Sequence, residues 1–522
     1  MSHLQGGVGM AQKQGIDWSS LWRKDEWLAV WIGFLIIILL IAGLKVSTPN
    51  FKWTTDAEFA SFSKKVALEV EELAKSAAGK GEKAVEGQAL ALRGLLEKGE
   101  RKAIGDAAKK LEGASKEAKD ASVKKKAGDL GKEISGQSAS IVGKVFSWAN
   151  IWLAIKIGIA YLVLSIIAMA LMGEAVGKFI LGFPIVFVIA WVGQLIAGNY
   201  TVLEYGLEYV LWCLFLGLFI SNVLGVPDWL KVAVKTEYYI KTGLVILGSG
   251  ILFGEIVKAG AYGIVQAVLV VGVIWYFTFW VAKKMQVDDE FAAMLSSGVS
   301  ICGVSAAIAT SGAVKGDPKK LSYVTSIVLI CAVPMMVLEP VIAKALKMPH
   351  EVAGAWLGGT LDTSGSVVAA GAIISEAAMK VGVIVKMSQN VLIGVAAFSL
   401  SIIWTFKKAA EIPGGEKPSA MEIWYRFPKF VLGFIIASVF FSFFLDAQTV
   451  ATTKGPLGSL RTWWFALAFT SIGLETRFKD LAELGGGRPA AAFLIGQGVN
   501  ILWTLLLAYL LFGGVIFAPF KM

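Results

Sequence analysis

The chain has 522 residues, of which 56% are hydrophobic, 11% aromatic and 17% charged. A water-soluble surface needs about 25% charged residues, so the composition argues against a cytosolic globular protein, and repeated apolar runs of about 20 residues place most of the chain in lipid. The net charge is +10, yet outside one charged segment the basic residues sit in short loops beside apolar runs, where membrane orientation accounts for them and nucleic acid is not needed.

The first apolar run covers 27–46, after a tail (1–26) that carries Arg23 and Lys24. It is longer than a signal-peptide core, and no Ala-x-Ala site follows it, so it reads as a retained first transmembrane helix. Residues 45–147 then hold 20 Lys/Arg and 15 Asp/Glu, leaving 53 charged residues for the other 419. This stretch defines a soluble insert, 47–147, rich in Ala, Lys, Glu and Gly. Its strong helix formers predict a pair or trio of amphipathic helices. The thin, alanine-heavy stripe leaves three packing partners open: the insert itself, a second copy or another protein.

From 148 to 522 the chain reads as a transmembrane domain, with apolar runs beginning near Trp148, Phe179, Gly206, Tyr238, Ala261, Phe291, Ser322, Val352, Val383, Phe427, Leu457 and Ala490. Lipid leaves no partner for an open strand edge, so these runs are predicted helices. The fold class is therefore an all-α polytopic membrane protein of about 11–13 transmembrane helices plus a soluble helical insert. With the N-terminus inside, short cytoplasmic loops carry Lys178, Lys231, Lys235, Lys417, Arg477 and Arg488 among others, which predicts a plasma-membrane protein whose insert lies outside the cytoplasm. The stretches from Leu247 and from Thr470 share a rhythm of helix end, acid, loop and glycine-containing apolar helix, an odd number of spans apart, as inverted repeats require.

Two segments are too polar for lipid-facing helices. Ser296–Gly312 sets Ser297, Ser300, Cys302, Gly303 and Ser305 in an apolar span; Gly354–Gly371 does the same with Gly359, Thr360, Asp362, Thr363, Ser364 and Ser366. Either small residues merely let helices pack closely, or the helices break at membrane depth, which is tolerated only around an enclosed cavity. A half-helix starting at such a break aims free N–H groups and partial positive charge at it, which suits an anion. These residues are the candidate substrate-binding set. Asp362 is a candidate ion-coupling group, since a carboxylate at membrane depth costs roughly 2.5–3.5 kcal/mol to insert. Its bland alternative is a structural pair with Lys241 or Lys156. Glu339, before Pro340, is the second ion-coupling candidate; Glu255 near a span end reads as snorkelling to water, and Trp275, Trp280 and Trp404 as interface anchors. The three cysteines, Cys213, Cys302 and Cys331, have no metal-ligand spacing and the histidines are only His3 and His350, so no metal, cofactor or enzymatic activity is expected.

The runs SSGVSICGVSAAIA, GAWLGGTLD with VVAAG, and ALAFTSIGLETRF with GRP resemble the sulfate exporter family of conserved hypothetical membrane proteins, over roughly Phe179 to the C-terminus. That resemblance implies shared ancestry with bile-acid symporters and cation/proton antiporters, hence inverted repeats and crossing discontinuous helices, with sulfate or sulfonate-related anions as substrates. Where such members show a His-Asp-Thr-Ala-Gln run, this chain has Leu361 before Asp362 and Ser364 to Ser366 after Thr363.

The expected function is secondary active transport of a small anion by alternating access, with a proton or sodium as coupling ion. A sodium/proton antiporter and a membrane receptor or scaffold acting through the insert stand as alternatives. A phosphate-binding Gly-x-x-x-x-Gly-Lys-Ser/Thr run is absent, which disfavours a primary pump.

Overall fold

The computed structural model describes residues 19–205, 207–409, 424, 427–477, 479 and 487–518; His3, Lys417 and most of the predicted tail lie outside them. The described chain is an all-α polytopic membrane protein, and it divides into two compact units: 1–46 with 160–190 and 213–522, and 47–159 with 191–212.

The second unit is centred on four helices of the insert, Asp56–Gly79, Lys83–Lys98, Arg101–Glu117 and Ala121–Ala139, where two or three were expected. The difference arises at Gly99, whose φ of 74° ends one helix in the left-handed region within a stretch whose residues otherwise favour continuous helix. Thr55 caps the first helix in a reciprocal box with Glu58, and Asp120 caps the last through the N–H groups of Ser122 and Val123. Apolar residues at helical spacing form the core, among them Phe62, Val66, Val70 and Leu73 with Leu92, Ile104, Leu111, Leu130 and Ile134.

The unit reaches past the boundary at 147 because its backbone and side chains are tied to flanking segments. Trp53 N–H donates to the Gly198 carbonyl, its indole N–H to the Leu195 carbonyl at 2.7 Å, and Asn50 pairs with Asn150. Arg101 closes the bundle. Its guanidinium donates to the carbonyls of Thr54, Gln137, Ser138 and Ser140, pairs with Asp56 at 3.1 Å and lies over the Phe59 ring. Arg101→Met would orphan several buried carbonyls and is expected to destabilise this unit by roughly 3 kcal/mol. Protease sensitivity of the 56–139 segment in the purified full chain should rise at a lower temperature; an unchanged profile would contradict the assignment.

Glu58 offers a pH test of the same unit. Burial pushes its carboxyl up, but hydrogen bonds from Thr201, the Thr55 N–H and hydroxyl, and Asn199 outweigh that and hold it at about 2, below the ordinary 4.5. A depressed pKa contributes stability that is fully present above about pH 4.5 and is lost as pH falls through about 2. For a partly exposed group the effect is discounted to roughly 1–2 kcal/mol, and Glu58→Gln should flatten the acid limb of the unit's unfolding curve.

Among the described residues, six helices are long and apolar enough to cross a membrane by themselves, namely Trp148–Met172, Val176–Ala197, Phe253–Lys284, Pro318–Ala345, Glu376–Trp404 and Arg488–Phe512. The remaining predicted runs also fall on helices, including Asp25–Ile41, Tyr209–Phe219, Lys429–Phe443 and Ala447–Glu475. The run near Tyr238 is a helix of only 13 residues, Thr236–Gly248, about 20 Å long, short of the roughly 30 Å of hydrocarbon. Every residue from Tyr238 to Gly248 is buried, so this is a core helix rather than a lipid-facing span. The first helix packs on it through Gly33 against Val245. At the end of that contact Lys241 is ringed by Asp25 at 2.8 Å, Glu237 at 3.4 Å and Glu26 at 3.8 Å. The two echoing stretches differ in helix length: the 13-residue Thr236–Gly248 precedes Phe253–Lys284, whereas the 29-residue Ala447–Glu475 precedes Arg488–Phe512.

Candidate functional site

Both polar segments are interrupted helices. In the first, Asp289–Ser297 loosens into a π-helical turn, Gly298–Cys302, stops at Gly303, and restarts as Val304–Val314. Gly303 has φ 60° and ψ −112°, a conformation closed to side-chain-bearing residues. In the second, His350–Thr360 ends, Leu361–Thr363 run extended or bent, and Ser364–Ile374 follows, with Thr363 capping the Ser366 N–H.

The two breaks meet. A Cβ built on Gly303 would stand 3.2 Å from both the Cβ and the carbonyl oxygen of Asp362, and 2.5 Å from Val328 of the Pro318–Ala345 helix. Two half-helices, starting at Val304 and Ser364, therefore originate on either side of one contact. Their first N–H groups have no intrahelical acceptor.

The opposite ends of the interrupted helices leave carbonyls that lipid cannot satisfy, and a set of polar side chains from two neighbouring helices meets that need. Lys386 donates to the Ile301 carbonyl at 2.6 Å and to Gln389 Oε1 at 2.8 Å. Gln389, its amide oriented by that lysine, donates to the carbonyls of Ser300 at 2.7 Å and Gly359 at 3.3 Å. Gln497 donates to the Thr360 carbonyl at 3.0 Å, and Asn500 reaches the carbonyls of Val299 and Thr360 at 3.2 and 3.4 Å. Thr504 fixes the Asn500 amide by donating to its Oδ1. Gln389 and Asn500 each touch both breaks, so the crossing is held as one polar knot.

The sequence-predicted residues separate once placed. Ser300 and Thr360 donate to carbonyls one turn back, Ser296 and Trp356, and so are committed to their own helices. Ser297 accepts from the Trp275 indole at 2.9 Å and from Thr310; Trp275 therefore braces the first break rather than marking an interface. Cys302 is buried. Gly359 leaves room for Gln266 and Thr504. Gly354 and Gly358 lie against the backbone of Ala378 and Gly382, so close packing explains these two glycines and a backbone break explains Gly303. Thr363 and Ser366 share one hydroxyl hydrogen bond of 2.7 Å, and Asn390 donates to Ser364. Ser305 is exposed, and Thr363 and Ser364 are half-buried.

Asp362 is 1% exposed and Glu339 2%, and none of their four carboxyl oxygens has a hydrogen-bond partner among the described residues. The alternative reading of Asp362, a pair with Lys241 or Lys156, does not form. Lys241 is taken by Asp25, Glu26 and Glu237, and Lys156 lies over the Trp152 ring. The cation whose charge acts on both carboxyls is Lys386, 2% exposed and missed by the sequence reading. Its signal was present as a lysine, glutamine and asparagine at Lys386, Gln389 and Asn390 inside an apolar run. Glu255 accepts the Leu252 N–H at the start of its helix. A cavity of about 740 Å³ opens away from the crossing, lined by Ser221, Asn222, Lys231, Glu475 and Arg477 among others.

Crossing interrupted helices with buried ionisable groups at the breaks define a class of polytopic membrane protein built around a central polar site. A family model described as Conserved hypothetical protein 698 matches residues 181–492, which include both breaks, and the chain belongs to that family. It is 41% identical to a UPF0324 membrane protein of Rhodopirellula baltica over 71% of this chain and 69% of that one. It is 39% identical to a UPF0324 membrane protein of Nitratidesulfovibrio vulgaris over 66% of this chain and 62% of the relative, and 26% identical to the UPF0324 inner membrane protein YeiH of Escherichia coli over 59% and 84%. No solved structure matches. The first helix and the insert lie outside the matched region.

Proposed function

We propose that the protein is a secondary active transporter, not an enzyme, that carries a small sulfate- or sulfonate-like anion across the plasma membrane by alternating access. The observation that carries this reading is the contact between Gly303 and Asp362, which brings the starts of two half-helices to one point. Free N–H groups and helix dipoles there favour an anion, and Ser305, Thr363 and Ser364 add hydroxyls at the half-helix starts. Lys386 supplies positive charge without lying in either break. The burial of the crossing fits a closed intermediate between inward and outward access. Asp362 and Glu339 are the coupling groups.

Purified protein in liposomes should accumulate radiolabelled sulfate, sulfite or a small sulfonate against its gradient when an ion gradient is imposed. Asp362→Asn should lose at least about tenfold in accumulation, a change of roughly 1.4 kcal/mol or more in the driving step. Normal accumulation with unchanged ion dependence would remove Asp362 from the mechanism.

A further inference from the structure

A second cluster of enclosed cations lies away from the crossing, on the helices Glu376–Ala409 and Ala447–Glu475. The side chains of Lys380 and Arg461 are only 14% and 15% exposed, and both lean on one carboxylate oxygen: Glu376 Oε1 stands 3.4 Å from Lys380 Nζ and 3.9 Å from Arg461 Nη1. At 3.9 Å the arginine makes no hydrogen bond to that oxygen, and its Nε is buried without a partner among the described residues. A guanidinium stays charged and carries five N–H donors. Enclosing one with donors unserved is unfavourable until an acceptor reaches it.

The fold fixes where this cluster lies. A Cβ built on Gly365, in the half-helix Ser364–Ile374, would stand 3.3 Å from Ile472. Glu376 follows Gly365 by eleven residues and Arg461 precedes Ile472 by eleven. The half-helix therefore runs antiparallel to the Ala447–Glu475 helix, and the two cations sit at its far end, about 16 Å from its start.

Charge and shape select a ligand. Two cations and one carboxylate leave one net positive charge. Glu376 opens its helix and its side chain is 60% exposed, so it can turn out to solvent, and the cations then match a dianion. Arginine offers a planar fork to two oxygens and lysine a point charge to a third. A tetrahedral dianion meets both; chloride cannot use the fork, and a lipid phosphodiester carries a single charge.

We infer that Lys380 and Arg461 form a second anion site for a free tetrahedral dianion of the sulfate class, with Glu376 as a built-in competitor that the ligand displaces. The site does not need the transport reading; where that reading holds, it is a docking station at the end of the half-helix remote from the crossing.

Equilibrium binding of radiolabelled sulfate to the purified full-length protein in lipid-free detergent at neutral pH tests this. Glu376→Gln should tighten binding about three- to fivefold, because the competing carboxylate is gone. Arg461→Gln should weaken it at least about tenfold, and Arg461→Lys should recover only part, since the fork is lost. Sulfate held at the crossing forms a class that none of these variants alters. Neither chloride at the sulfate concentration nor added phosphatidylglycerol should displace the label. Unchanged or weaker binding by Glu376→Gln, wild-type binding by Arg461→Gln, or displacement by phosphatidylglycerol would overturn the inference. Should Arg461→Gln not fold, Glu376→Gln against wild type still decides. Binding with this pattern but no accumulation in liposomes would keep the site and remove the transport reading.

Discussion

Gly303→Ala is expected to abolish transport while leaving the insert folded. A β-carbon at this position meets two penalties together. The backbone conformation, φ 60° and ψ −112°, is one that residues with side chains adopt only under strain of about 1–3 kcal/mol. The new methyl would also stand 2.5 Å from Val328 and 3.2 Å from Asp362, so the Pro318–Ala345 helix or the second break must move, adding roughly 1–3 kcal/mol of overpacking. A sum of about 2–6 kcal/mol is comparable with the margin of a whole domain. Relaxation would separate the two breaks and the half-helix starts with them. Melting of the detergent-solubilised protein and anion uptake should both report this, whereas Gly143→Ala, with nothing within 4 Å of the added carbon, should change neither. Normal uptake by Gly303→Ala would show that the contact between the breaks is not the working element.

The second large effect is expected from Lys386→Met. The substitution keeps the chain length and removes the ammonium, so the Ile301 carbonyl and Gln389 Oε1 lose their donor and Gln389 loses the group that orients it toward Ser300 and Gly359. Each buried orphan costs about 1–3 kcal/mol, and withdrawing one partner from a buried charged set costs about 3–5 kcal/mol. A fall in melting temperature of ten degrees or more, together with loss of anion accumulation, is the expected outcome. The double variant Lys386→Met with Glu339→Gln should recover part of the stability, because the uncompensated charge shrinks. Failure of the second change to rescue any of the loss would mean that Lys386 acts through the carbonyls alone and not through the carboxyls.

These expectations show which parts of the molecule could be read without coordinates. Apolar runs of membrane length, the charged insert between the first two of them, and the two polar interruptions were legible because each is a property of contiguous residues: lipid imposes length and hydrophobicity locally, and a cluster such as Gly-Gly-Thr-Leu-Asp at 358–362 is visible wherever it packs. Glu339 was legible for the same reason, as an acid next to a proline in an apolar span. The insert was harder. Its Ala-rich stripe fixed helix but not helix count, because the break at Gly99 depends on a single backbone conformation within a sequence that otherwise favours continuation.

The sequence by itself determined that this chain lives in a bilayer, that it is helical, and which two segments are too polar to face lipid, since those outcomes follow from what water and hydrocarbon accept along one segment. The tertiary structure alone decided which groups answer the broken ends. Lys386, Gln389, Gln497 and Asn500 lie 30 to 201 residues from the carbonyls they serve, and Lys241 does not pair with Asp362 because it is enclosed by Asp25, Glu26 and Glu237. Partner choice among buried charges is settled by competition across the whole fold, where each ion takes the counter-ion that packing brings nearest, and no reading of neighbours along the chain contains that competition.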